Sequence, residues 1–349
     1  APATVSGEPP PENATGPRAG KAGVRRRPAS QETCRRDVAI RAGAPGTDAR
    51  RATIRRFPCI PAPASGRCMR QIAVLVLLFL AAPAQAAPER VVSMNLCTDQ
   101  LALMLAAPGQ LVSVSDWARR PRASNLPERA AELPANAATA EDVFMLGPDL
   151  VLAGAFTNRV AVDMLRRLGV RVEEFSPVTS LEGIPAVLRR LGRMLGREEA
   201  AEAAIARFEA GLARARARAA VLTEREGAYH YPNNYTSGAG TLADEVMRAA
   251  RLENAAARLG KRGTTRIALE TLVMLDPFLV RARHITGAER GRAFETARHP
   301  ALASLSAEAG SATVEERWQV CGTPFVLRAI EALVAARRRQ EGVVEQADA

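Results

Sequence analysis

Short apolar runs bounded by turn residues alternate with helical patterns from about residue 87 to the end of the chain. Strands that alternate with helices form mainly parallel sheets flanked by helices, so the sequence predicts an α/β fold. The predicted strands are Arg90–Asn95, Leu111–Ser115, Asp149–Gly154, Val170–Phe175, Ala228–Pro232, Phe278–Ala282 and Ala312–Trp318. Helices are predicted at Leu242–Ala250, Leu269–Leu275 and Pro324–Arg337.

An internal repeat predicts that this fold has two lobes. "AEDVFMLGPDLV" (Ala140–Val151) matches "LETLVMLDPFLV" (Leu269–Val280) at six of twelve positions, among them Glu141 with Glu270. Each copy has the pattern of a short helix that ends before a proline and leads into a buried strand.

The middle of the chain predicts a helical connection between the lobes. A stripe of apolar residues on a proline-free segment predicts one helix over Glu198–Val221, with acidic residues early and arginines late as the helix dipole favours. Such a helix would be roughly 36 Å long, which is enough to cross from one lobe to the other. An ordinary surface helix of one domain is the alternative. A rigid link of this kind would allow only limited lobe motion.

The apolar run that starts at Met69 has the features of an export signal. Met69 and Arg70 give a start and a positive charge, Ile72–Leu80 is strongly apolar, and Ala84-Gln85-Ala86 is a small-x-small cleavage site. A membrane span would need about 20 apolar residues, and this run is shorter. We therefore expect residues 69–86 to be a signal peptide cleaved near Ala86, and the mature protein to lie in an oxidising, extracytoplasmic space, which the resemblance described below implies is the periplasm.

Removing the segment before Met69 changes the charge of the protein. Residues 1–68 carry 13 Lys and Arg against 5 Asp and Glu, and hence about +8 of the net charge of +11. Their clusters of Pro, Gly, Ala and Arg show no core-forming periodicity, so we interpret them as a non-native or disordered upstream segment. The remainder is nearly neutral, and nucleic-acid binding is not expected.

The remaining chain shows no signature of catalysis. None of the histidines lies in an HExxH motif, and "TSGAG" is not the G-x-S-x-G turn that presents a nucleophilic serine. Neither a phosphate-binding loop nor a histidine and carboxylate cluster for a free metal is visible. We expect the protein not to be an enzyme and to carry no resident cofactor, although a secreted enzyme or structural protein on the same fold stays an alternative.

Several segments in this order resemble the periplasmic substrate-binding proteins of ABC importers for cobalamin, haem and ferric siderophores. They are the export signal, "RVVSMNLCTDQLALML", "PDLVLAG", a long connecting helix and "YTSGAGTLADEVM". The resemblance implies two α/β lobes joined by one rigid helix. It implies a monomer that captures a metal chelate, a corrinoid or ferric siderophore with haem as the alternative, and delivers it to an inner-membrane permease and its ATPase.

The expected domains follow from this resemblance and from the patterns above. The first lobe is expected over residues 87–180, the helical segment with the interlobe helix over 181–222, and the second lobe with its terminal helix and tail over 223–349.

The resemblance also implies ligand contacts in loops at the carboxyl ends of strands, which is where open α/β sheets bind ligands. All three tyrosines and both tryptophans fall at such strand ends, and their flat rings suit a large planar or macrocyclic ligand. Asp99 is also a candidate, with helix capping by Thr98 or Asp99 as its alternative role. The predicted ligand-binding residues are Asn95, Cys97, Trp117, Phe156, Tyr231, Asn234, Tyr235, Arg266 and Trp318.

Two glutamates and two cysteines complete the predicted site. The resemblance implies that Glu141 and Glu270, one in each lobe, dock onto arginines of the permease; a solvated carboxylate near a helix start is the alternative. Cys97 and Cys321 have three interpretations, namely a disulfide, unpaired buried thiols, or coordination of a ligand's metal. Their spacing does not decide among these.

Overall fold

The computed structural model describes residues 86–286 and 291–343, which all belong to the unit formed by residues 76–349. The predicted upstream segment 1–68 and nearly all of the predicted signal peptide lie outside the described residues. Every helix in the described ranges is too short or too polar to cross a bilayer.

The first lobe is a five-stranded parallel sheet covered by helices, with strand order β3-β2-β1-β4-β5. Its central strands are buried on both faces, as parallel sheets generally are. The strands are β1 (Val91–Ser93), β2 (Leu111–Ser115), β3 (Ala135–Asn136), β4 (Leu150–Gly154) and β5 (Val172–Phe175). The helices are α1 (Leu96–Leu105), α2 (Pro127–Ala131), α3 (Ala140–Met145) and α4 (Arg159–Arg167).

Two consecutive helices, α5 (Gly183–Leu195) and α6 (Glu198–Ala219), leave this lobe. Gly196 adopts the left-handed conformation that ends α5 and allows the sharp turn into α6. With 22 residues α6 is about 33 Å long.

The second lobe contains a four-stranded parallel sheet, of order β11-β10-β6-β8, and a two-stranded antiparallel ribbon of β7 and β9. The strands are β6 (Arg225–His230), β7 (Tyr235–Ser237), β8 (Leu252–Asn254), β9 (Thr264–Arg266), β10 (Phe278–Arg283) and β11 (Ser311–Glu315). The helices are α7 (Leu242–Ala249), α8 (Ala255–Arg258), α9 (Leu269–Leu275), α10 (Pro300–Glu308) and α11 (Val326–Gln340).

The long helix α6 contacts both lobes. It packs along α5, which lies against α1 of the first lobe, and along α11 of the second lobe. Its buried stripe, which includes Ile205, Phe208 and Leu212, belongs to one hydrophobic cluster that continues from Val91 in β1 to Leu333 in α11. The lobes therefore share a single core behind the cleft.

The predicted α/β fold is confirmed, and most predicted elements end within two residues of the observed ones. Two strands were predicted in the right place but with wrong bounds. β6 begins at Arg225 and stops at His230, because Tyr231 already turns into the short 3-10 helix Pro232–Asn234. β11 stops at Glu315, because Glu316–Trp318 forms another 3-10 helix. The short strands β3, β7, β8 and β9 carry too few apolar residues to give a periodic signal.

The repeat corresponds to the same local structure in both lobes. α3 and α9 each lie before a central strand of their sheet, β4 and β10. Each helix is followed by a residue of left-handed conformation, Gly147 in the first lobe and Asp276 in the second. Equivalent positions of the repeat thus end the helix in the same way.

Candidate functional site

A cleft lies at the carboxyl ends of the strands of both lobes. It consists of a first cavity of about 460 Å³, lined mainly by loops of the first lobe, and a second cavity of about 570 Å³, lined mainly by the second lobe. Val320 lines both cavities, so they adjoin at this residue. Both volumes are in the range typical of small-molecule sites.

The wall of the first cavity carries three of the predicted residues. Asn95 follows β1, Trp117 follows β2 and Phe156 follows β4, and all three line the cavity. Phe156 is 87% exposed and Trp117 is 37% exposed. Both rings are therefore accessible to a ligand.

Asn95 is held in place by its own helix and by a glycine. Its Oδ1 accepts a hydrogen bond from the Cys97 backbone N–H (3.0 Å) and so caps α1. A Cβ at position 154 would lie 2.8 Å from the Asn95 side chain, so the close approach requires Gly154. The predicted caps Thr98 and Asp99 are wrong, because both lie inside α1.

The wall of the second cavity is built on stacked tyrosines. The rings of Tyr229 and Tyr231 stack with their centroids 5.4 Å apart. Tyr229 is fully buried and donates to Gln319 (2.7 Å), whereas Tyr231 lines the cavity and its hydroxyl bonds Ser237 Oγ (3.1 Å). Burial raises the pKa of the Tyr231 phenol, which therefore remains a neutral hydroxyl at physiological pH.

An arginine covers one aromatic ring on each wall. The Arg120 guanidinium lies 4.1 Å from the ring centre of Trp117, and the Arg266 guanidinium lies 4.9 Å from that of Tyr235. Cation–π contacts at exposed sites are worth only about 0.5–1 kcal/mol, so a planar ligand can displace either guanidinium at little cost.

Cys97 and Cys321 form a disulfide, with their Cα atoms 5.0 Å apart. It joins the start of α1 in the first lobe to the segment between β11 and α11 in the second lobe. Cys97 lines the first cavity, and Cys321 is buried beside Val320. The disulfide thus lies where the two cavities meet.

Backbone contacts reinforce this junction between the lobes. The Arg317 guanidinium donates to the Pro121 carbonyl (2.6 Å), and the Asn125 side-chain amide donates to the Arg317 carbonyl (2.6 Å). A Cβ at position 322 would come within 2.1 Å of Val178, so this close contact between the lobes requires glycine at position 322.

Four predicted site residues do not line the cavities. Asn234 turns back to bond His230 Nε2 (3.0 Å), and the neighbouring Asn233 lines the second cavity instead. Arg266 lies over Tyr235, as described above. Trp318 packs against the hydrophobic core, since the 3-10 helix at Glu316–Trp318 turns its ring inward.

Asp99 is the fourth predicted residue that does not line a cavity. Its side chain is completely buried under the first cavity. It accepts hydrogen bonds from the backbone N–H and the hydroxyl of Ser115, which itself lines the cavity. Burial raises its pKa to about 7, although these hydrogen bonds oppose the shift. The prediction of direct ligand contact by Asp99 is therefore wrong.

Sequence reasoning missed several lining residues of the second cavity. Val178, His284 and Phe294 come from segments without a motif, namely the loop after β5 and the region after β10. Only the general rule that strand ends bind ligands could have indicated His284, which follows β10 directly.

Glu141 and Glu270 occupy equivalent exposed positions in the two lobes. Each lies in the first turn of its helix, α3 or α9. Next to them Met145 and Met274 are 83% and 78% exposed.

Within residues 86–286 and 291–343, no cluster of three or more His, Cys, Asp or Glu side chains has the geometry of a metal site.

A family model described as periplasmic binding protein matches residues 91–309, which include both sheets except the last strand. The chain belongs to the periplasmic binding protein family. The resemblance noted in the sequence is thus confirmed. Members of this family are substrate-binding proteins rather than enzymes, work with ABC importers, and are periplasmic or extracytoplasmic. Export of this binding protein itself stays a prediction.

Similar proteins include a curated cobalamin-binding protein of Halobacterium salinarum, which is 31% identical over 163 residues. The match covers 45% of this chain and 42% of the relative, so less than half of the relative's length is spanned.

Solved structures share the fold. The periplasmic haem-binding protein RhuT of Roseiflexus sp. RS-1 in apo form has a TM-score of 0.59 at 22% identity, covering 72% of this chain and 98% of that chain. The periplasmic vitamin B12 binding protein BtuF of Vibrio cholerae has a TM-score of 0.56 at 20% identity, covering 73% and 98%.

Proposed function

We propose that this binding protein captures a metal chelate, a corrinoid or a ferric siderophore, in its cleft and delivers it to an ABC importer permease powered by an ATPase. The observation that supports this proposal best is that aromatic rings line both walls, Trp117 and Phe156 at one cavity and Tyr231 and Tyr235 at the other. Aromatic faces bury large ligand areas without requiring charges, which suits a bulky chelate whose metal is already coordinated.

A corrinoid is the preferred ligand. The curated relative named as a cobalamin-binding protein supports this choice. The two adjoining cavities, of about 460 and 570 Å³, also offer room for a macrocycle with side arms.

Direct titration tests the proposal. Purified protein from residue 87 onward is titrated with cyanocobalamin, haemin and a panel of ferric siderophores, and quenching of tryptophan fluorescence is followed. We expect saturable quenching with one class of chelate and a Kd at or below micromolar. Trp117→Phe should remove most of the quenching while leaving the Kd from calorimetry within about threefold, since Phe retains the apolar ring. Absence of binding by every chelate would overturn the proposal.

Haem is the second candidate, and the observation that favours it is a pair of possible iron ligands. The imidazole of His284 and the phenol of Tyr235 both line the second cavity, and both groups ligate haem iron in proteins. If haem is the ligand, haemin should give a shifted Soret band that His284→Ala or Tyr235→Phe changes. An unchanged band in both variants would exclude ligation by these residues.

We further propose that Glu141 and Glu270 dock the loaded protein onto the permease. Their equivalent exposed positions beside Met145 and Met274 give each lobe the same charged and apolar surface. Glu270→Ala and Glu141→Ala should each lower transport in reconstituted vesicles at least tenfold and leave chelate affinity unchanged, because neither side chain lines the cleft cavities. Glu331→Ala, on α11, is the control. A loss of chelate affinity in either variant would contradict the docking role.

A further inference from the structure

A third cavity, of about 480 Å³, adjoins the second cavity in the second lobe. The two cavities share Tyr231, Pro232, His284 and Phe294, so they lie side by side. We name the third cavity the arginine pocket, because its lining includes Arg281, Arg283 and Arg298.

The strand register explains how the basic groups meet. Arg281 of β10 lies beside His230 of β6 on one side and Thr313 of β11 on the other. Side chains at paired positions of adjacent strands share a face of the sheet, so all three point into the same pocket. Two residues earlier on this face, Ala228 and Leu279 are buried in the apolar cluster under α10. The face therefore changes from apolar to basic at the cleft edge.

The described lining residues of the arginine pocket include no carboxylate. Arg283 is paired with Glu315 at the end of β11 (3.0 Å), whereas no ion pair of Arg281 is found among the described residues. Burial lowers the pKa of His230, with a further contribution from Arg281, so the imidazole adds no charge at neutral pH.

We propose that the arginine pocket binds an oxyanion arm of the chelate in the main cleft, a carboxylate or a phosphodiester, with Arg281 as its principal ligand. The inference rests on the proposed function and narrows it to chelates that carry such an arm. A planar guanidinium with free N–H groups suits both anions, because it can donate two parallel hydrogen bonds. Because the two cavities adjoin, the metal-bearing part of the ligand can remain between the aromatic walls.

The test compares pairs of chelates of which only one member carries the anionic arm. Haemin and its dimethyl ester differ in two carboxylates, while cobalamin and cobinamide differ in the nucleotide loop, which carries the phosphodiester together with the ribose and the dimethylbenzimidazole base. The affinities of wild type, Arg281→Gln and Arg281→Lys are measured by calorimetry. Arg171→Gln, which removes the same charge on the surface of the first lobe, is the control.

We expect wild type to prefer the anionic member of one pair by about tenfold, as a charge-assisted hydrogen bond at a partly solvated site provides. Arg281→Gln should abolish this preference and bind the ester or cobinamide as wild type does, and Arg281→Lys should retain part of it. The pair that shows the effect distinguishes a carboxylate from a phosphodiester.

The outcomes separate this inference from the proposed function. If wild type binds chelates but Arg281→Gln keeps the full preference, or if there is no preference in either pair, the arginine pocket has no role in binding and the proposed function stands. If wild type binds a ferric siderophore but none of these four chelates, the inference falls and the proposed function stands. If it binds neither these four nor any ferric siderophore of the titration above, both fall together.

Discussion

Reduction of the disulfide between Cys97 and Cys321 is expected to lower the free energy of unfolding by about 2–5 kcal/mol. The two cysteines are 224 positions apart, so the bond closes a very long loop and restricts the unfolded chain strongly. It also joins the two lobes at the cleft. Thermal unfolding with and without reductant measures the effect, and we expect a lower Tm in the reduced protein.

The variant with both Cys97→Ala and Cys321→Ala is the matched control for this experiment. Its Tm should be lower than that of oxidised wild type and should not respond to reductant. A wild-type Tm that reductant leaves unchanged would show that the disulfide contributes nothing to stability.

Reduction should also loosen the lobes without separating them. The shared core along α6 persists when the disulfide is broken, because Ile205, Phe208 and Leu212 remain buried between α5 and α11. Small-angle scattering should therefore show only a slight increase in the radius of gyration. A large expansion would mean that the disulfide, not the helix, sets the lobe arrangement.

Asp99→Asn is expected to stabilise the protein above pH 7 by about 2–4 kcal/mol. The pKa of Asp99 rises from 3.8 to about 7 on folding, because the carboxyl is buried. Between these values the folded state keeps a proton that the unfolded state has released, so the stabilisation present near pH 4 is lost as the pH rises to 7. Asn carries no charge at any of these pH values, and its Nδ2 can donate to Ser115 Oγ.

Chemical denaturation of wild type and Asp99→Asn at several pH values measures this effect. The difference in free energy of unfolding should grow from pH 4 to pH 7 and stay constant above it. Asp163→Asn, which changes an exposed carboxylate on α4, serves as the comparison. A difference that does not change with pH would contradict the raised pKa of Asp99.

The repeat and the periodic patterns predicted the framework correctly because they reflect local and near-local physics. The apolar run of β4 predicts a buried strand, and the apolar stripe on α6 predicts a helix with one buried face. In both lobes the proline that follows the repeat helix prevents this helix from continuing. Residues that lie directly after strong strands, such as Asn95 and Trp117, were therefore placed at the cleft from sequence.

Predictions failed where a short turn followed a strand. The strands β6 and β11 end in 3-10 helices two or three residues before the predicted strand ends. The Trp318 side chain therefore packs against the core, and Asn233 rather than Asn234 lines the second cavity. Burial likewise decided the role of Asp99. A carboxylate in the first turn of a helix gives the same sequence pattern whether it faces solvent or the core, so the sequence could not distinguish the two.

By itself the sequence determined the α/β class, the two lobes, the long helix between them and the positions of the aromatic rings at strand ends, because periodicity and turn chemistry are local. Only the tertiary structure decided that Cys97 meets Cys321 and that Arg281 lies beside His230 in a pocket next to the cleft. These contacts depend on strand register and on the packing of one lobe against the other, which bring together residues that no spacing along the chain relates.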